Sequence, residues 1–95
     1  MQNYTRAPAL QHVARKLAAE VTYIMVVKMD ITDENDPWWN TVNKLSKAFN
    51  CLRSNNPSRA AQLVEDAIRY IPSEEGPTAS QRLAAIRQSI IHTSS

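Results

Sequence analysis

Gly76 is the only glycine in this chain of 95 residues. Tight turns and β-hairpins call for backbone angles with positive φ, which glycine adopts without steric cost. A sheet protein of this length needs several such turns, so a chain with one glycine is expected to be helical. The length fits one domain, and 43% apolar residues suffice for a single core. The expectation is a small, compact all-α bundle of about four helices, at 8–29, 37–54, 57–71 and 79–92. It occupies 1–95 as a single domain with short flexible ends.

The hairpin formed by the second and third helices is the best-defined part. Asp36-Pro37 and Asn56-Pro57 are both helix-start signals. The Asp or Asn side chain accepts from a free N–H of the first turn, and proline at the first position gives up a donor without a partner. After Pro37, the residues Trp38, Val42, Leu45, Phe49 and Leu52 recur at helical spacing and define one apolar face. After Pro57 the stripe is Ala60, Leu63, Val64, Ala67, Ile68 and Ile71, closed by Pro72. Ser54-Asn55-Asn56 is the turn between them.

Ahead of this hairpin, residues 1–7 read as a loose lead-in and Pro8 as the start of a helix. Leu10, Val13, Leu17, Val21, Ile24 and Lys28 carry its buried edge. The β-branched stretch from Val21 to Met29 has strand propensity, but the helical period runs unbroken from Leu10, and a lone strand would have no partner. Beyond Pro72, Ser73 to Pro77 reads as a linker. Thr78 and Gln81 have capping-box spacing, and Leu83, Ile86, Ile90 and Ile91 face inward in the last helix. The tail 93–95 is expected to fray.

Several chemistries lack their residues. One glycine cannot build a phosphate-binding loop. Cys51, His12 and His92 match no zinc spacing. The acidic stretch 30–36 lacks the glycine and the terminal glutamate of a calcium loop, since its twelfth position from Asp30 is Thr41. Glu65 and Asp66, adjacent on a helix, diverge by about 100° and suit shared acid–base work poorly. Cys51 borders an apolar stripe and reads as an inert thiol rather than the nucleophile of a pair with His12. No enzyme, cofactor or metal is expected. A lone cysteine allows no internal disulfide and fits a reducing compartment. Met1 to Arg6 do not resemble a signal peptide, and the apolar run Tyr23 to Val27 is too short for a membrane span. The expected location is cytoplasmic, with no membrane partner.

Two candidate surfaces remain. Trp38 and Trp39 cannot both face one narrow core. Trp38 continues the stripe, whereas Trp39, on the side of Asn43, either caps the end of the bundle or anchors an interface, a role in which tryptophan is enriched. The second surface is electrostatic. The charges alternate in blocks, and the segment 37–59 carries Lys44, Lys47, Arg53 and Arg59 without an acid. The net charge of +2 is too small by itself to point to nucleic acid. The leading expectation is a non-enzymatic protein-binding module (an adaptor, chaperone or inhibitor) that occupies a partner's surface through Trp39, Asn43, Lys44, Lys47, Arg53 and Arg59. The alternative is a nucleic-acid-binding module that uses the basic face. The identity of the protein partner and the choice between monomer and homo-oligomer stay open.

Residues 45–72 resemble a tetratricopeptide repeat. Ala48 stands at the small position of its first helix, and Ala60, Val64, Ala67 and Pro72 match the spacing of its second. Lys47 and Cys51 stand where that family is usually apolar or aromatic. The resemblance implies a protein-binding scaffold with a groove for a partner helix.

Overall fold

A computed structural model of the chain describes residues 2–27, 35–71 and 76–94, with side chains over 9–27, 35–71 and 78–93. Four helices follow one another: α1 (Gln2–Val27), α2 (Trp39–Arg53), α3 (Pro57–Arg69) and α4 (Gly76–Ser94). No strand occurs among the described residues, and the β-branched stretch of α1 is helical up to Val27. Each helix packs on two neighbours, α1 on α2 and α4, and α3 on α2 and α4. Thr41 near the start of α2 meets Ala67 near the end of α3, and Glu20 near the end of α1 meets Arg82 near the start of α4, as an up-down-up-down order requires. This is the arrangement that short connections favour.

The α2–α3 turn explains how a chain nearly free of glycine reverses direction. Asn55 adopts φ 60°, the left-handed region. The Asn56 N–H donates to the Cys51 carbonyl at 2.7 Å and the Asn55 N–H to the Leu52 carbonyl at 3.1 Å. This pair of bonds is a Schellman cap, with asparagine in the place glycine usually takes. Asn56 then starts α3, its side chain accepting from the Arg59 N–H at 3.3 Å, and Pro57 takes the first helical position. At the start of α2, the Asp36 carboxylate accepts from the Trp38 N–H at 2.8 Å, and its carbonyl accepts from the Trp39 N–H at 3.0 Å. Asp36 thus satisfies free donors as expected, but the first turn is tight, and the α-helix proper starts at Trp39 with Trp38 as its N-cap.

The outer ends differ from expectation. Residues 2–7 are helical, so Pro8 lies inside α1 rather than at its start. Proline there removes the single bond that would have reached the Tyr4 carbonyl. α4 begins at Gly76, before the expected residue 79, with Pro77 in its first turn, where the missing N–H has no intrahelical partner. Thr78 is therefore inside the helix and cannot cap it with Gln81. α3 ends at Arg69 rather than 71, the Tyr70 and Ile71 N–H groups making tighter bonds to the Ala67 and Ile68 carbonyls. α4 continues to Ser94. Lys28, most of the acidic stretch 30–36, and residues 72–75 lie outside the described residues.

One core joins all four helices. Leu17, Leu45, Leu83 and Ile90 are fully buried, and Trp38 is buried as its place in the stripe predicts. In α2 the buried face is rotated from the expected stripe. Thr41 and Ala48 are fully buried, while Val42 and Phe49 are half-buried. Small side chains here let α3 come close. The Thr41 hydroxyl donates to the Ala67 carbonyl of α3 at 3.2 Å, so its burial leaves no unsatisfied donor. Ile91 is exposed, not inward.

The turn gives a direct test. Asn55→Val should lower unfolding free energy by about 1–2 kcal/mol, because a β-branched residue is strained at positive φ. Asn55→Gly should leave stability unchanged or raise it by a few tenths of a kcal/mol, about what glycine gains at such a cap. Urea titration followed by circular dichroism separates them, and equal effects of the two would argue against a left-handed residue at this turn.

Candidate functional site

The six residues expected to bind a partner do not form one patch. At about 100° per residue, Trp39 and Arg53 lie on the flank of α2 that meets α1, Lys44 lies on the flank that meets α3, and Asn43 and Lys47 point between them. Lys47, Arg53 and Arg59 are exposed, while Asn43 and Lys44 are half-buried. Trp39 is half-buried and packs against the core, so only part of its ring is open. Arg59 lies on α3, where its guanidinium donates to Gln62 at 3.2 Å. The basic block is contiguous in sequence but spread around two helices.

The packing sorts the charges instead. Glu20 of α1, with its side chain only 13% exposed, accepts from Arg82 of α4 at 2.6 Å. Arg82 also lies 5.1 Å from the centre of the Tyr23 ring, a cation–π contact. Glu65 of α3 serves two arginines, Arg87 of α4 at 3.6 Å and Arg69 at 3.9 Å. Glu20 and Glu65 therefore face arginines of α3 and α4, whereas Asp66 of α3 makes no ion pair among the described residues. α2 contains no acid at all, and Glu20 is the only acid of α1. As a result Arg15, Lys16, Lys44, Lys47 and Arg53 have no acidic partner among the described residues. Arg53 instead lies 5.8 Å from the centre of the Phe49 ring.

Two clefts open where α1 crosses α2, with Phe49 as their shared wall. The larger, of about 580 Å³, has Leu10, Ala14 and Leu52 in its floor and Arg15 and Arg53 at its rim. The smaller, of about 240 Å³, continues past Ala18 and Val21 toward Thr22, Ser46 and Asn50. Together they make a groove with an apolar floor, and both arginines without an acidic partner belong to its larger cleft. The furrow exists because Ala14 and Ala18 are too short to fill the space beside α2. Sequence reading placed Phe49 in the core stripe and passed over Arg15. The available signal was the lack of any acid on α2, which leaves a neighbouring arginine of α1 uncompensated.

Other chemistry finds no assembled site. His12 is exposed on α1, Cys51 is half-buried on α2, and no hydrogen bond joins them. Among the described residues, no group of three or more His, Cys, Asp or Glu side chains could hold a metal ion. No described helix is long and apolar enough to cross a membrane. Comparison with family models, curated proteins and solved structures gives no match.

The tryptophan pair separates packing from recognition. Trp38→Ala should cost about 3–5 kcal/mol, the usual result of emptying a buried aromatic site. Trp39→Ala should cost less, about 1–2 kcal/mol, because its ring is only partly buried. Thermal melts of both purified variants check the order, and a Trp39 variant as unstable as the Trp38 one would make Trp39 a core residue.

Proposed function

We propose that this chain is a non-enzymatic protein-binding module that occupies a partner's surface, in the manner of an adaptor, chaperone or inhibitor. The observation that carries the reading is the face formed by α1 and α2. It combines a groove floored by Leu10, Ala14 and Leu52 and divided by Phe49 with Arg15 and Arg53, which have no acidic partner among the described residues. Concave sites with apolar linings and a few placed polar groups are typical of binding sites. Tryptophan, tyrosine and arginine are the residues most often found to dominate protein interfaces; Arg15 and Arg53 line the groove, and Trp39 is half-buried against the core on α2. The resemblance of the α2–α3 hairpin to a tetratricopeptide repeat points the same way. The unpaired, half-buried Cys51 suits a reducing, cytoplasmic setting.

A nucleic-acid reading has weaker support. Phosphate tracking favours basic residues along one groove or stripe, and Lys44, Lys47, Arg53 and Arg59 are divided between flanks of α2 and a second helix.

Capture of cross-linked partners from cells of the source organism tests the proposal. The native chain should retain a protein that is lost with Arg53→Glu, and Trp39→Ala should weaken retention by about 2 kcal/mol if the ring is an anchor. Circular dichroism of each variant should stay helical. If the material retained is nuclease-sensitive, and if oligonucleotide binding weakens steeply with salt and is lost in a Lys44→Glu/Lys47→Glu variant, the protein-binding reading falls in favour of the nucleic-acid one.

A further inference from the structure

We infer that the α1–α2 groove seats a helical segment of a partner protein, apolar along one face and acidic at the end that meets Arg15 and Arg53. The inference rests on the protein-binding reading above and adds the chemistry of the occupant. Three observations carry it. The groove follows α1 from Leu10 to Thr22, a distance of about 18 Å at 1.5 Å per residue, which matches about three turns of a docked helix. Its floor is apolar and lined by short side chains, Ala14 and Ala18, that allow a helix to approach closely. Amphipathic helices dock in such grooves through apolar anchors spaced three or four residues apart.

Charge decides which helix. Arg15 and Arg53 both line the larger cleft, one half of the groove, on different helices, and neither has an acidic partner among the described residues. The opposite end carries Thr22, Ser46 and Asn50, which are uncharged. A segment with carboxylates at one end therefore has one favourable orientation, and the reverse orientation leaves both arginines without partners. A basic segment is repelled. Phe49, half-buried between the two clefts, offers its ring to an apolar anchor at the middle of the segment.

The test uses the full chain labelled with nitrogen-15 and three synthetic 18-residue peptides. All share leucines at helical spacing, and they differ in carrying Glu, Gln or Lys at one end. The acidic peptide should shift amide signals of residues 10–22 and 46–55, and should bind about tenfold more tightly than the Gln peptide at low salt, as two rim charge pairs allow. The Lys peptide should bind least. Arg15→Glu combined with Arg53→Glu should invert the preference, and its circular dichroism should match that of the parent chain. Phe49→Ala should weaken all three peptides.

Equal binding of the acidic and neutral peptides overturns the charge argument, and shifts confined to other surfaces overturn the groove. Absence of binding at millimolar acidic peptide also overturns the inference. If a partner is nevertheless captured by the native chain, the module binds proteins through another face and the broader reading survives; if none is captured, both fall. A dimer in sedimentation that protects the groove residues from shifting would assign the groove to a second copy of the chain. Stronger shifts at the same residues with a single-stranded oligonucleotide would assign it to nucleic acid.

Discussion

The close contact between α2 and α3 is the constraint on which the bundle depends. Ala48, Ala60, Val64 and Ala67 are fully buried, and their small size lets the two helices approach until the Thr41 hydroxyl reaches the Ala67 carbonyl at 3.2 Å. That carbonyl lies near the C-terminal end of α3, where the regular helical ladder runs out and acceptors need other donors. It takes one from the Tyr70 N–H and another from Thr41. A buried polar residue thus locks the register of the hairpin. The Schellman cap at Asn55 and the Asn56 cap hold its other end. Leu17, Leu83 and Ile90 of α1 and α4 then fill the trough that the pair leaves open.

Electrostatics follows from that packing and not from overall charge. α4 brings Arg82 to Glu20 and Arg87 to Glu65, so both of these acids are engaged away from the α1–α2 face. The Glu20–Arg82 pair, with a mostly buried carboxylate, has the greater structural weight, since leaving that carboxylate without its cation would be costly. The pairs of Glu65 are more exposed and contribute little. The net effect is that, among the described residues, Arg15 and Arg53 on the α1–α2 face have no acidic partner. Where short alanines and a half-buried Phe49 leave a furrow on that same face, shape and charge coincide.

Much of this was legible in the chain. The scarcity of glycine, the two Asx-Pro starts and the apolar period determined four helices and placed Trp38, Leu45, Leu52, Leu63, Val64 and Leu83 in the core, because helical spacing and local hydrogen bonding are set by neighbouring residues. Residues 2–7 and Gly76-Pro77 escaped that reading: proline and glycine are punctuation only on average, and helix context overrides them. Only the tertiary structure decided that Thr41 and Ala48 are buried rather than Val42 and Phe49, since the rotation of α2 depends on how closely α3 approaches. It also decided the candidate site. The sequence grouped Lys44, Lys47, Arg53 and Arg59 because they are near one another along the chain, whereas the fold spreads them over different sides of α2 and onto α3, and places Arg53 across a cleft from Arg15. Which charges stay unpaired, and which short side chains leave a groove, depend on distances between helices that no local pattern records.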